Sequence, residues 1–161
     1  MPDMTIVNTS PVFYLHRLNL LDILYKLYGE IIVPRAVQDE LEQGRKQGED
    51  VPNLQEYSWI KIWEVGVPHY LNLIVDLGRG ESEVLGIASE YPSALVVLDD
   101  KLARNIAALQ GFRLTGTAGI LLRAKEQNLI SEIKPVLDSL TYLGFRLSPE
   151  LIRNILDIAG E

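Results

Sequence analysis

The chain has 161 residues, 47% of them hydrophobic and 23% charged, which predicts one soluble globular domain over residues 1–161. It has no cysteine, so disulfide and thiolate chemistry are excluded and a cytoplasmic location is expected. No apolar run approaches the roughly 20 residues of a membrane span, and the start of the chain lacks the pattern of a signal peptide. The net charge of −7 argues against a strongly basic nucleic-acid-binding module, but it is compatible with a metal-dependent hydrolase.

The first half of the chain alternates short apolar strands with helices. Ser10 is expected to cap the first helix and Pro11 to occupy its first turn, and Gly29 is a plausible stop for the helical part. The predicted elements are a strand over 5–7, one or two helices between Pro11 and Gly29, a strand over 30–33, a helix from Pro34 to about residue 43 ending at Gly44, a surface loop over 44–58 with one helical turn, and a strand over 59–65.

The second half contains the run that indicates the fold class. Residues 94–98 are apolar without alternation, which is typical of a parallel strand covered by helices on both faces. We therefore predict a three-layer α/β/α fold with a central, mainly parallel sheet of four or five strands and a helical C-terminal third. The other predicted elements are a short helix after Pro68, helices over 81–90 and 101–110, a short strand over 113–114, and helices over 116–125, 132–143 and 149–159.

Two carboxylates, Asp99 and Asp100, directly follow the apolar run. Ligand and catalytic groups of open α/β sheets gather at the carboxyl ends of such strands. Two acids held close together favour a cation between them, so this pair is a candidate metal site. As a single residue, Asp100 is more simply explained as the N-cap of the following helix.

Helical periodicity selects two further acids. Glu40 lies on the apolar stripe of its helix, with Asp39 and Glu42 on the opposite side. Glu81 lies on the stripe of the next long helix, whereas Glu83 and Glu90 face away. A carboxylate on an apolar face needs a partner or a cation.

Each of these polar residues also has a purely structural interpretation. Glu81 could be a first-turn residue favoured by the helix dipole, and Glu40 could pair with an arginine or lysine. Asn8, at the end of the first strand, could be a turn residue. All of them fall at strand ends or helix starts, where successive βα units can bring them together, so the set favours a site.

Segments spread over nearly the whole chain resemble the PIN-domain family, in particular a branch of small prokaryotic, VapC-like proteins. The segments that carry the resemblance are VNTSP (7–11), VPRAVQDEL (33–41), LGRGESE (77–83), LDDKLAR (98–104), LTGTAG (114–119) and GFRLS (144–148).

The resemblance implies a Mg²⁺- or Mn²⁺-dependent endoribonuclease, and suggests the toxin of a toxin–antitoxin pair. The family's acids fall on Glu40, on Glu81 and on the Asp99–Asp100 pair, which would be catalytic groups and metal ligands. Ser10 matches a hydroxyl that supports the acids. The implied partners are a single-stranded or structured RNA substrate, a small antitoxin protein and a second copy of the chain.

Asn8 departs from the family pattern, which usually has Asp there. An amide oxygen can bind a hard cation but contributes no negative charge. The alternative function is therefore an attenuated protein of the same fold that binds RNA or a protein without cleaving.

Contacts to nucleic acid are expected from local basic residues and from a helix start that presents N–H groups to phosphate. Arg104 is expected to be exposed because it lies opposite the apolar residues of its helix. The candidate residues are Arg79, Lys101, Arg104, Thr115 and Thr117.

Overall fold

A computed structural model of the protein describes residues 3–161, with the backbone alone at His69 and Tyr70. Its centre is a five-stranded sheet of order β3-β2-β1-β4-β5, in which every pairing is parallel. The strands are β1 (Thr5–Val7), β2 (Ile31–Pro34), β3 (Ile60–Trp63), β4 (Leu95–Val97) and β5 (Arg113–Thr115).

Eight α-helices surround the sheet within the described residues, and three of them form the C-terminal third. Short 3₁₀ turns occupy Leu54–Glu56 and His69–Leu73. None of the helices described is both long and apolar enough to cross a membrane. The helices are α1 (Thr9–Arg17), α2 (Asp22–Tyr28), α3 (Arg35–Lys46), α4 (Arg79–Glu90), α5 (Lys101–Leu109), α6 (Thr117–Glu126), α7 (Lys134–Tyr142) and α8 (Pro149–Ala159).

Alternate strand residues point into two separate hydrophobic clusters, as the period of a β-strand requires. Ile6 and Val96 pack in the cluster formed with α4 and α5. Val7 and Val97 pack in the opposite cluster with α1, α2, α6 and the C-terminal helices. The predicted three-layer fold with its central parallel sheet is therefore confirmed.

Two predicted helix ends are wrong. The first helix begins at Thr9, so Ser10 lies inside it and Asn8 occupies the N-cap position. The helix after β2 continues to Lys46, so Gly44 lies inside it. Gly44 is the position at which the loop after the helix approaches the helix backbone. The following loop folds back there: the Glu49 N–H donates to the Gly44 carbonyl at 2.9 Å, and Glu49 Oε2 would lie 2.6 Å from a β-carbon on residue 44.

Glu83 does not face solvent, contrary to the prediction from helical periodicity. It is 6% exposed, and its Oε1 accepts a hydrogen bond of 3.0 Å from the Ala36 N–H in the first turn of α3. Its Oε2 accepts one of 3.2 Å from Arg79 Nε. Helix α4 is buried on two sides, by the sheet and by α3, so the residues opposite its apolar stripe are not all in water.

Glu83→Ala is expected to lower the free energy of unfolding by about 1–3 kcal/mol, because it leaves the buried Ala36 N–H without an acceptor. Chemical denaturation measures this change. Glu90→Ala, at the exposed end of the same helix, is the matched control and should stay within about 0.5 kcal/mol of wild type. Equal effects of the two substitutions would contradict the assignment of Glu83 as the link between α3 and α4.

Candidate functional site

Asn8 is the buried polar residue at the carboxyl end of β1. Its backbone N–H donates to the Val97 carbonyl at 3.1 Å, so it continues the pairing of β1 with β4. Its side chain makes no capping hydrogen bond to α1, although the residue is only 4% exposed. Among the described residues, Asn8 Oδ1 has no hydrogen-bond partner. A buried carbonyl oxygen without a partner is costly, so a role as a turn residue does not account for this side chain.

Glu40 meets Asn8 at the start of α4. Glu40 Oε1 accepts a hydrogen bond of 3.0 Å from the Gly80 N–H, and the Thr9 hydroxyl donates to Glu40 Oε2. A β-carbon on Gly80 would lie 2.8 Å from Asn8 Oδ1 and 2.9 Å from Glu40 Oε1. Both oxygens therefore converge on one point, and glycine at position 80 leaves room for them.

The placement of Glu40 on a buried stripe is wrong in one respect. Glu40 is exposed, although Ala36, Val37 and Leu41 of the same helix are buried as predicted. The stripe reaches the carboxyl edge of the sheet at this residue, where the core ends and an open recess begins.

Glu81 is half-buried in the first turn of α4. Burial raises the pKa of its carboxyl above the usual range, and the nearby negative charges of Glu40 and Asp100 raise it further. Its own backbone N–H opposes this rise, as expected for an acid at a helix start. Glu40 and Asp100 thus each lie close enough to Glu81 for their charges to act on it.

Asp99 links three elements through its two carboxylate oxygens. Oδ2 accepts hydrogen bonds from the Ser10 hydroxyl at 2.7 Å and from the Thr117 hydroxyl at 2.6 Å. Oδ1 accepts the Thr117 N–H at 2.8 Å. The carboxylate therefore joins the end of β4 to α1 and α6, and Ser10 contacts an acid of the predicted set.

Asp100 is the N-cap of α5, as predicted for it as a single residue. Its Oδ2 accepts the Ala103 N–H at 3.0 Å, and the residue is exposed. The two adjacent aspartates thus differ. The carboxylate of Asp99 accepts hydrogen bonds from Ser10 and Thr117, whereas the charge of Asp100 acts on Glu81.

A recess of about 310 Å³ forms in front of these groups, and three of its lining residues were missed from the sequence: Thr9, Phe13 and Glu49. The loop that carries Glu49 is held by a 3.0 Å contact between Asp50 and His16 of α1. A loop has no periodicity, so nothing in the sequence indicates where Glu49 lies. The full lining is Asn8, Thr9, Ser10, Phe13, Glu40, Glu49 and Glu81.

The two predicted arginines are both engaged within the fold. Arg79 forms ion pairs with Asp39 at 3.1 Å and Glu83 at 3.2 Å, with its side chain 63% exposed. Arg104 is half-buried and not exposed as predicted, because its Nη1 reaches back to the Leu98 carbonyl at 2.7 Å.

The other candidate contacts to nucleic acid differ in accessibility. Thr117 is fully buried, and both its N–H and its hydroxyl bind Asp99, so they are not free for phosphate. Thr115 is half-buried, whereas Lys101 is exposed at the start of α5.

The donor set has the chemistry that a hard divalent cation requires. Within the described part of the chain, no three acidic or histidine side chains lie close enough to form a metal site by themselves. Mg²⁺ is usually held by one or two carboxylates together with water and substrate phosphate, not by a complete protein cage. Glu40, Glu81 and the unpartnered Asn8 Oδ1 supply two carboxylates and a neutral oxygen, and this set fits such an ion.

Glu81→Gln is expected to raise the unfolding temperature by a few degrees at pH 7–8 in buffer free of divalent cations. A carboxyl whose pKa is raised in the folded state destabilises that state when ionised. The gain should fade as the pH falls from the raised pKa to the unfolded value near about 4.3. Thermal unfolding across pH measures it, with Glu90→Gln as the control. A gain that grows on acidification would contradict the assignment.

Comparisons with known proteins bear on what this site does. No curated protein matches the chain. A protein-family model described as PIN domain matches residues 4–161. PIN domains are generally nucleases that typically use a divalent metal, so the general class of function is that of a hydrolase. Because the match spans nearly the whole sequence, the chain belongs to the PIN-domain family.

Proposed function

We propose that the chain is a Mg²⁺- or Mn²⁺-dependent endoribonuclease that hydrolyses phosphodiester bonds at the carboxylate recess. The observation that carries this proposal is Asn8 Oδ1, which is buried, has no partner among the described residues and points to the same place as Glu40 Oε1. Membership of the PIN-domain family supports the nuclease class. RNA as the substrate and the identity of the metal rest on the sequence resemblance.

Glu40, Glu81 and Asn8 would hold the cation. A bound cation supplies polarisation of the scissile phosphate and a lower pKa of an attacking water. Burial raises the pKa of Glu81, and the negative charge of Glu40 raises it further, so a cation in the recess would relieve the cost of two ionised carboxylates there. The Thr9 hydroxyl and the Gly80 N–H hold the Glu40 carboxylate in position.

The two aspartates have different roles in this proposal. Asp99 positions α1 and α6 through Ser10 and Thr117, and it contributes negative charge behind the recess. Asp100 does not line the recess, but its charge acts on Glu81 and its capping bond uses only Oδ2, so in this proposal it adds negative charge at the rim of the recess.

The role as a toxin remains a prediction. An acidic recess of this kind would also accept a basic side chain from a small antitoxin protein, which would compete with the cation. Homodimerisation is likewise a prediction from the family resemblance.

Cleavage of a mixed single-stranded RNA pool in Mn²⁺ or Mg²⁺ tests the proposal. Wild type should cut the RNA, and Glu81→Gln should reduce the rate about 100-fold or more, because loss of a metal ligand removes several kcal/mol of transition-state stabilisation. Asn8→Asp should lower the metal concentration needed for half-maximal rate, since it adds a charged ligand. Glu90→Gln should cut like wild type.

Two other outcomes lead to different conclusions. Cleavage by Asn8→Asp alone would mean that the natural site is attenuated and that the chain acts mainly by binding. If wild type, Glu81→Gln and Asn8→Asp all fail to cut while RNA still binds, the nuclease proposal is wrong.

Gly80→Ala tests where the cation binds, without depending on activity. Mn²⁺ should raise the unfolding temperature of wild type, since an ion that binds only the folded state stabilises it. A β-carbon at residue 80 would lie too close to both Asn8 Oδ1 and Glu40 Oε1 and would displace them, so this rise in unfolding temperature should be lost in the variant. Gly66→Ala places its β-carbon in open space and should keep the shift. An unchanged Mn²⁺ response of Gly80→Ala would place the ion elsewhere.

A further inference from the structure

A second concavity, which we call the side groove, lies beside the carboxylate recess. It has a volume of about 380 Å³, within the roughly 300–1,000 Å³ of small-molecule pockets. It runs between β5, α6 and the segment that leads into α8. Its lining includes Asp99, Arg104, Leu122, Phe145, Arg146 and Leu147.

One hydrogen bond separates the side groove from the recess. Asp99 lines the side groove, Ser10 lines the recess, and the Ser10 hydroxyl donates to Asp99 at 2.7 Å. A polynucleotide with one phosphate in the recess would therefore place its neighbouring nucleotide at the side groove.

A row of three aromatic rings also connects the recess to the side groove. Phe13 lines the recess and meets Tyr14 at 5.1 Å between ring centroids, and Tyr14 meets Phe145 of the side groove at 5.0 Å. Both contacts are perpendicular, at 89°, and all three rings are half-buried. The edge-to-face contacts hold the rings in place and leave part of each on the surface.

Two guanidinium groups against the single carboxylate of Asp99 give the side groove net positive charge in a chain of net charge −7. Arg104 lies at the inner end next to Asp99: a β-carbon on Gly116 would be 2.7 Å from Arg104 Nη1 and 2.9 Å from Asp99 Oδ1. Arg146 is exposed at the side groove and forms no ion pair with the residues described. This positive charge is complementary to phosphate, and it lies next to the apolar lining residues Leu122, Phe145 and Leu147.

We propose that the side groove binds the nucleotide next to the scissile phosphate, with its base unpaired. This inference rests on the proposed nuclease function and narrows its substrate to single-stranded RNA segments. An unstacked base offers a flat apolar face to Phe145 and Leu147, and arginine contacts the adjacent phosphate. A base inside a duplex is stacked on both faces and cannot enter the side groove.

Binding of a fluorescent ten-nucleotide single-stranded RNA tests the inference. Anisotropy is measured in Mn²⁺ with the full chain carrying Glu81→Gln, which slows cleavage about 100-fold or more and so keeps the RNA intact during a short titration. Phe145→Leu should raise Kd about fivefold or more, because it removes the ring but keeps an apolar side chain. Arg146→Ala should weaken binding and reduce the slope of log K against log salt by about one.

Arg153→Ala is the matched control, since Arg153 is exposed on α8 and does not line the side groove. It should leave Kd unchanged, and a hairpin whose ten nucleotides are paired should bind more weakly than the single strand. Thermal unfolding establishes that each variant is folded.

Three outcomes would overturn the inference: Phe145→Leu and Arg146→Ala bind like Arg153→Ala, the paired hairpin binds as tightly as the single strand, or the variants change the sedimentation coefficient and not Kd. The last would make the side groove an interface between copies of the chain. Failure of the nuclease function is distinguishable, because wild type would then leave RNA uncut while the binding losses persist.

Discussion

The parallel pairing of β1 between β2 and β4 is the constraint on which the site depends. It brings the carboxyl ends of three strands to one edge of the sheet. Asn8 follows β1 and donates to Val97 of β4, α3 begins directly after β2 and carries Glu40, and Asp99 follows β4. Asn8 and Asp99 are presented by the turns that leave their strands, and Glu40 by the second turn of the helix that follows β2.

The start of α4 completes the site from outside the sheet. Glu83 attaches this helix to the first turn of α3 through the Ala36 N–H, while the Gly80 N–H in the first turn of α4 donates to Glu40. The buried contact of Glu83 and the contact of Gly80 at the recess thus set the position of Glu81 relative to Glu40. The carboxylates so assembled repel one another, and the fold tolerates this because its two hydrophobic clusters stabilise the surrounding elements.

The amide at position 8 changes the balance of charge at the recess. A carboxylate buried at 4% exposure beside Glu40 and Glu81 would add to their repulsion, whereas an amide does not. The same amide leaves a carbonyl oxygen without a partner among the described residues. Compared with an Asp at position 8, the amide lowers the repulsion between the groups of the recess when no cation is bound. It also lowers the attraction of the recess for a cation.

The sequence by itself determined the fold class and most elements, since the unbroken apolar run before Asp99 and the helical spacing of buried residues depend only on local periodicity. It also indicated Asp100 as a cap and brought Asn8, Glu40 and Glu81 to the sheet edge through their places in the βα units. Only the tertiary structure decided which acids are satisfied within the fold. The burial of Glu83, the return of Arg104 to the Leu98 carbonyl and the approach of Glu49 to the recess come from packing between elements distant in sequence. Periodicity assigns each residue to a face of its own helix, but it carries no information about which neighbouring element covers that face.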